Sequence, residues 1–171
     1  EIPFEAKRIE HMFRTIGLAA WLIAAAVAPA GEFNKKLKIG DAAPAWKDLP
    51  GTDGKKHALT DLKEDVVVVV FTCNSCPVNV NTIRDDRLDK MQEKARKAGF
   101  NFPYLYDESQ QIARDFGATY TPEFFVLNKD RKVVYMGAMD DKTNPNEAKV
   151  NYLDAAVEAA LKCHKVEKAE T

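Results

Sequence analysis

"VVVVVFTCNSCP", Val66 to Pro77, decides how this 171-residue chain is read. An unbroken apolar run rich in β-branched residues is the pattern of a short strand buried on both faces of a parallel or mixed sheet. Cys73 and Cys76 stand two residues apart just past its end, and a CxxC in that place has a specific chemical use. If a helix starts there, free N–H groups and the macrodipole at its first turn favour a thiolate on Cys73. Cys73 then attacks, and Cys76 is placed to resolve the mixed disulfide. Their spacing closes a small, strained ring that is easily reduced. Two other readings compete: part of a metal site, or plain structural cysteines. A zinc site wants four ligands, and one CxxC supplies two. The remaining pair, Cys163-His164, cannot readily share an ion, because adjacent helical residues point about 100° apart. No metal ligand is assigned.

Composition narrows the class. The chain is 46% hydrophobic and 30% charged, which suits one globular domain with its own core. Its 25 basic and 26 acidic residues lack the clustered basic excess of a nucleic-acid surface. The charges of "KMQEKARKAG" alternate as on a solvated helix face. Near the start, basic Lys7, Arg8 and Arg14 precede an uncharged run, Thr15 to Ala30, that ends in Ala28-Pro29-Ala30. That is the layout of a secretory signal, and the run is shorter than the roughly 20 residues that span a bilayer comfortably. Residues 1–30 are therefore expected to be a signal peptide or N-terminal anchor with an upstream extension, and residues 31–171 the domain. The expected location is extracytoplasmic or periplasmic, where disulfides form, with membrane attachment only if the segment stays uncleaved.

Turn residues divide the rest. Pro44, Pro50-Gly51 and Asp53-Gly54 suggest an entry segment and a small hairpin around Gly54. Ile83, Leu88, Met91, Ala95 and Ala98 approximate a helical face that stops at Gly99. "FNFPYLYD" is extended around Pro103. Ser109 to Phe116 is a short helix ended by Gly117. "EFFVLN" and "KVVYMG" flank Lys129-Asp130-Arg131 as an antiparallel pair. A last helix carries Val150, Leu153, Val157 and Leu161 on one stripe. This order of strands and helices points to a three-layer α/β domain.

"ATYTPEFFVLN", Ala118 to Asn128, adds a second signal. Proline breaks ladder bonds, so Thr121-Pro122 directly before a strand is unusual. A cis bond there would turn the chain sharply and leave the Thr121 backbone open to an extended substrate. An ordinary trans proline at a strand start is the plainer alternative.

These two blocks resemble a known family. "IGDAAPAWKDLPGTDGKKHALTDLKEDVVVVVFTCNSCP" is similar to the opening of thioredoxin-like proteins of the redoxin, or AhpC/TSA-related, group. "FNFPYLYDESQQIARDFGATYTPEFFVLNKDRKVVYMG" is similar to their second half. The resemblance runs from about Ile39 to Leu161. It implies a thioredoxin-like α/β/α sandwich with a mixed central sheet, Cys73 as attacking thiol and Cys76 as resolving thiol. It also implies Pro122 as a cis proline beside them and, with Thr121, a substrate-binding loop. Two departures stand out. Peroxiredoxins place a threonine and a proline at fixed distances before the peroxidatic cysteine; here Val69 falls in that stretch and Thr72 is out of register. Dithiol–disulfide exchange is thereby favoured over peroxide reduction. Relatives also follow the CxxC with a helix, a buried strand and a further helix, whereas only Pro77 to Asp86 precede the charged helix here. One helix and most of a strand are expected to be missing, with a discontinuity just after Cys76.

The expected function is exported thiol–disulfide exchange with redox partner proteins, with no cofactor required. The alternatives are a thiol peroxidase acting on hydroperoxides and a non-catalytic redox-fold binding module or metal carrier. Cys163 reads as incidental, with a second resolving role as its alternative, and His11, His57 and His164 are scattered. Glu64 and Asp65 lie before the central strand, where a buried acid could relay protons to Cys76, but sequence does not show whether either turns inward and neither is assigned to the site. Oligomeric state is left open.

Overall fold

The valine run forms a strand only because a second apolar strand far along the chain lies beside it. In the computed structural model, which describes residues 34–74, 86–142 and 144–171, that partner is "EFFVL". In chain order the elements are β1 (Leu49–Pro50), β2 (Lys56–His57), β3 (Val67–Phe71), α1 (Leu88–Ala98), α2 (Gln111–Phe116), β4 (Glu123–Leu127), β5 (Val133–Gly137) and α3 (Tyr152–Leu161). β4 is central in a three-stranded sheet of order β3-β4-β5, antiparallel throughout, and every one of its residues is buried. β1 and β2 form the hairpin expected around Gly54, pairing Leu49 with His57. "FPYLY" extends alongside it: Leu105 bridges to Gly51, and the Thr52 and Tyr106 amides donate to the Tyr104 and Pro50 carbonyls.

The sheet separates two cores because side chains alternate along each strand. One face collects Trp46, Leu59, Val67, Phe116, Phe125 and Leu127. The other collects Phe124, Val126 and Tyr135 against Ala156 and Ala160 of α3. The resulting layers, entry segment and α2, then sheet, then α3, give the three-layer α/β arrangement. Phe116 is the hub of the first core, fully buried and 5.3, 5.1 and 6.2 Å from the rings of Phe71, Phe125 and Trp46. It can sit there because Gly117 stops α2 in the left-handed region at φ 69°. A Cβ at Gly117 would meet Asn34 Oδ1 at 2.4 Å, and Asn34 in turn donates to the Phe116 carbonyl at 2.7 Å.

Three expectations need correction. β3 is not buried on both faces: Val68 and Val70 are 42% and 38% exposed, and among the described residues β3 lies at the sheet edge. Burial of a strand depends on what covers it, and among the described residues no parallel strand flanks β3. The only parallel pairing described is the isolated bridge from Met136 to Glu170. The inward stripe of α3 is also shifted: Ala156 and Ala160 are its buried residues, while Val150 and Leu161 are exposed. Alanines let the helix backbone sit close on the sheet, which larger side chains would prevent. Likewise α1 buries Met91 alone, though it stops at Gly99 as its spacing suggests. Residues 1–30, Ile83 and the expected discontinuity after Cys76 lie outside the described residues.

Replacing Phe116 by alanine removes the ring on which the other three converge. Phe116→Ala is expected to cost about 3–5 kcal/mol of unfolding free energy, read as a lower denaturant midpoint with a nearly unchanged slope.

Candidate active site

The β3–β4 register builds the site. Val69 pairs with Phe125 and Phe71 with Glu123. Continuing the same antiparallel register by two residues sets position 73 opposite position 121. The side chains meet accordingly, with Cys73 Sγ 3.7 Å from Thr121 Oγ1. Cys73 is disulfide-bonded, so its sulfur carries no hydrogen and the Thr121 hydroxyl is the donor. The Thr121-Pro122 bond is cis, as the family resemblance implied, and Pro122 is exposed next to a half-buried Cys73. Cys76 lies outside the described residues. Cys163 is a free, exposed thiol past the end of α3.

Two acids that sequence reasoning passed over hold the site from either side. Asp86, only 2% exposed, stands just ahead of α1. Its Oδ1 accepts the Asn74 backbone N–H at 2.7 Å. The Asn74 side chain is held too, its Oδ1 accepting the Tyr104 hydroxyl at 2.8 Å. Burial, and then the negative charge of Asp86, push the Tyr104 hydroxyl above its ordinary range. On the other side Glu123, 5% exposed, opens β4 directly after Pro122. Its Oε2 accepts the backbone N–H groups of Thr119 at 2.7 Å and Tyr120 at 3.4 Å, bracing the loop that carries Thr121. Burial raises the Glu123 carboxyl even though both hydrogen bonds favour its charged form. The Tyr120 hydroxyl is pushed up to about 12, by burial first and then by Glu123.

Glu64 and Asp65, the acids singled out from sequence, are exposed. The Glu64 backbone carbonyl serves a structural purpose, accepting from Arg131 at 2.9 Å. Asp86 was hidden in the charge run "RDDRLDK", which reads as solvated surface. Glu123 left a clearer mark: an acid heading an otherwise apolar strand directly after Thr-Pro. Beside Asn74 an open cleft runs along α1, lined by Lys90, Glu93, Lys94 and Lys97. Lys97 and Lys90 bond Glu93 at 2.7 and 2.9 Å and bring its carboxyl down to about 2. His57 is paired with Asp53 at 3.0 Å across the β1–β2 turn, an exposed clasp of that hairpin.

Several known proteins similar to this chain are described as redox proteins. Residues 78–153 match the Redoxin family model. Peroxiredoxin Bcp of Escherichia coli K12 is 27% identical over 150 residues, covering 68% of this chain and 96% of the relative. Since 68% of 171 residues is about 116, some thirty positions of that relative have no counterpart in this chain. An uncharacterized conserved protein from Geobacillus kaustophilus superposes with a TM-score of 0.72 at 28% identity, over 81% of this chain and 89% of that one. A Neisseria meningitidis protein described as a thioredoxin shares the fold at a TM-score of 0.53 and 20% identity, over 75% and 96% of the two chains.

Glu123 gives the site a pH signature. Its folded-state carboxyl binds a proton more tightly than an unfolded one, whose ordinary pKa is about 4.3. Its contribution to stability is therefore full below that value and is lost as pH rises through the raised one. Glu123→Gln keeps an oxygen for the Thr119 and Tyr120 amides but cannot ionise. Thermal melts from pH 4 to 8 should show the variant gaining on wild type as pH rises; parallel curves would mean that Glu123 does not titrate as its burial requires.

Proposed function

We propose that this protein is a redoxin-like oxidoreductase with a thioredoxin-like fold, which exchanges thiols and disulfides with partner proteins through Cys73 and Cys76. The observation that carries the reading is the juxtaposition of Cys73 with the Thr121 hydroxyl and an exposed cis Pro122. An extended substrate segment laid along that loop would present its sulfur to Cys73. In the reducing direction, the Cys73 thiolate attacks a substrate disulfide, bonding to one sulfur and expelling the other as a thiolate that takes up a proton. Cys76 loses its proton and attacks the Cys73 sulfur, which releases the second substrate thiol. Two electrons have then passed to the substrate, and Cys73–Cys76 is the disulfide. No cofactor enters this cycle. The leader-like pattern of Thr15 to Ala30 supports an extracytoplasmic setting, where such chemistry has substrates.

A peroxidase reading is favoured by one observation, the similarity to peroxiredoxin Bcp. There Cys73 would attack a peroxide oxygen and Cys76 would condense with the resulting sulfenic acid.

Insulin reduction driven by a small dithiol separates the two readings. Wild type should accelerate precipitation of the insulin chains, and Cys73→Ser should lower the rate to the uncatalysed level. Equal rates from the two proteins would defeat the exchange reading. Peroxide consumption at a rate well above insulin reduction would replace it with the peroxidase.

A further inference from the structure

The loop along which a substrate segment would lie is held from one further direction, by residues far from it in sequence. We infer that Thr171 is a positioning residue for substrate binding. It fixes Tyr120 and, through Tyr120, the loop from Thr119 to Pro122. The inference rests on the exchange reading and adds what keeps the docking loop in shape.

The chain after α3 returns to the sheet for local reasons. Cys163 takes the left-handed conformation at φ 55°, which turns the backbone out of the helix. Val166 is then buried in the core that α3 shares with the sheet, and Ala169 packs against the same cluster. Two backbone hydrogen bonds follow: the Met136 N–H donates to the Ala169 carbonyl at 3.0 Å, and the Thr171 N–H to the Met136 carbonyl at 3.2 Å. They set Glu170 parallel to Met136, so β5, α3 and residues 169–171 form a strand–helix–strand unit. Gly137, at φ 142°, permits this approach. A Cβ there would collide with Thr171 Oγ1 and come 2.5 Å from the Thr171 backbone oxygen.

Thr171 sits where several polar groups meet. Its Oγ1 accepts the Ala138 N–H at 2.8 Å and lies 2.8 Å from the Tyr135 hydroxyl. Tyr135 gives its own proton to the Ala138 carbonyl, so in the remaining bond Thr171 donates to Tyr135. The Thr171 backbone oxygen accepts from the Tyr120 hydroxyl at 3.4 Å. That hydroxyl, pushed up to about 12, stays protonated at any working pH and so remains a donor.

A bond of that length is weak, and its importance lies in where it acts. Tyr120 directly precedes Thr121, whose hydroxyl meets Cys73, and the Tyr120 N–H is one of the two held by Glu123. The loop is thus pinned at the sulfur, along its backbone and at the tip of the Tyr120 side chain. Irregular backbone fixed in advance loses less conformational freedom when an extended segment is laid along it.

The test uses the whole chain and single substitutions at the two positions. Tyr120→Phe removes the hydroxyl and keeps the ring. Thr171→Val removes the Thr171 hydroxyl at similar volume, and Thr171→Ser keeps it. Insulin reduction at varied insulin concentration separates KM from kcat. Amide hydrogen exchange read by mass spectrometry reports on the loop with no substrate present. Tyr120→Phe and Thr171→Val should each raise KM by about two- to tenfold and leave kcat within about twofold, while Thr171→Ser stays near wild type. Peptides covering Ala118 to Glu123 should exchange faster in both variants, while peptides covering α3 keep their wild-type rates. Because Thr171 acts through Tyr120, combining Tyr120→Phe with Thr171→Val should do no more than the worse single change. Unchanged loop exchange, an unchanged KM, or effects that add in the double variant would overturn the inference. So would exchange that quickens in the loop and α3 alike, which would make Thr171 a general stabiliser. If wild type leaves insulin intact while loop exchange still responds, the hold on the loop stands and the exchange reading is what fails.

Discussion

The antiparallel register between β3 and β4 is the constraint on which the site depends. Because the strands run in opposite directions, the residues leaving β3 lie beside those entering β4. The pairing of Phe71 with Glu123 brings Cys73 and Thr121 together from positions 48 apart. A slip by one residue would put Phe125 and Leu127 on the wrong face and break the aromatic cluster around Phe116. The core and the chemistry are therefore secured by the same ladder. Phe71 links them, since its ring packs on Phe116 and Phe125 two residues before the sulfur.

Burying two carboxylates beside one thiol is costly, and the local structure shows what offsets the cost. Asp86 and Glu123 each accept backbone N–H groups that no regular ladder would satisfy, at Asn74 on one side and at Thr119 and Tyr120 on the other. A donor left unsatisfied there would itself cost about 1–3 kcal/mol. The acids thus act as caps for irregular backbone, and that is why they can lie inside the protein.

Much of this was legible in the sequence where a local rule governs. The valine run, the Gly54 hairpin, the Gly99 and Gly117 stops and the β4–β5 hairpin follow from residue type and spacing, while the cis Thr121-Pro122 bond was implied by the family resemblance. Properties set by distant neighbours were not legible. The exposure of Val68 and Val70 depends on what lies across the sheet, and nothing in "VVVVVF" reports it. The inward face of α3 turned on Ala156 and Ala160, residues that carry little hydrophobic signal beside Val150 and Leu161. Asp86 sits in a charge run, and only the fold shows that one member of the run is enclosed.

Among the described residues β3 has a strand on one side only, and its flanks bear on how such a strand is kept in place. A row of valines at a sheet edge is a template for pairing with another chain. Here the strand is kept to five residues and entered through Lys63-Glu64-Asp65, all exposed. Charges at the mouth of an apolar strand oppose stacking of identical copies in register, because like charges would be brought together. Arg131 reinforces the arrangement by donating to the Leu62 and Glu64 carbonyls at 2.7 and 2.9 Å, which ties that entry to the β4–β5 turn. At the other end Cys73 and Asn74 lead directly into the Asp86 contact. The apolar part of the edge is thus confined between a charged entry and a hydrogen-bonded exit, and the reactive sulfur belongs to the exit.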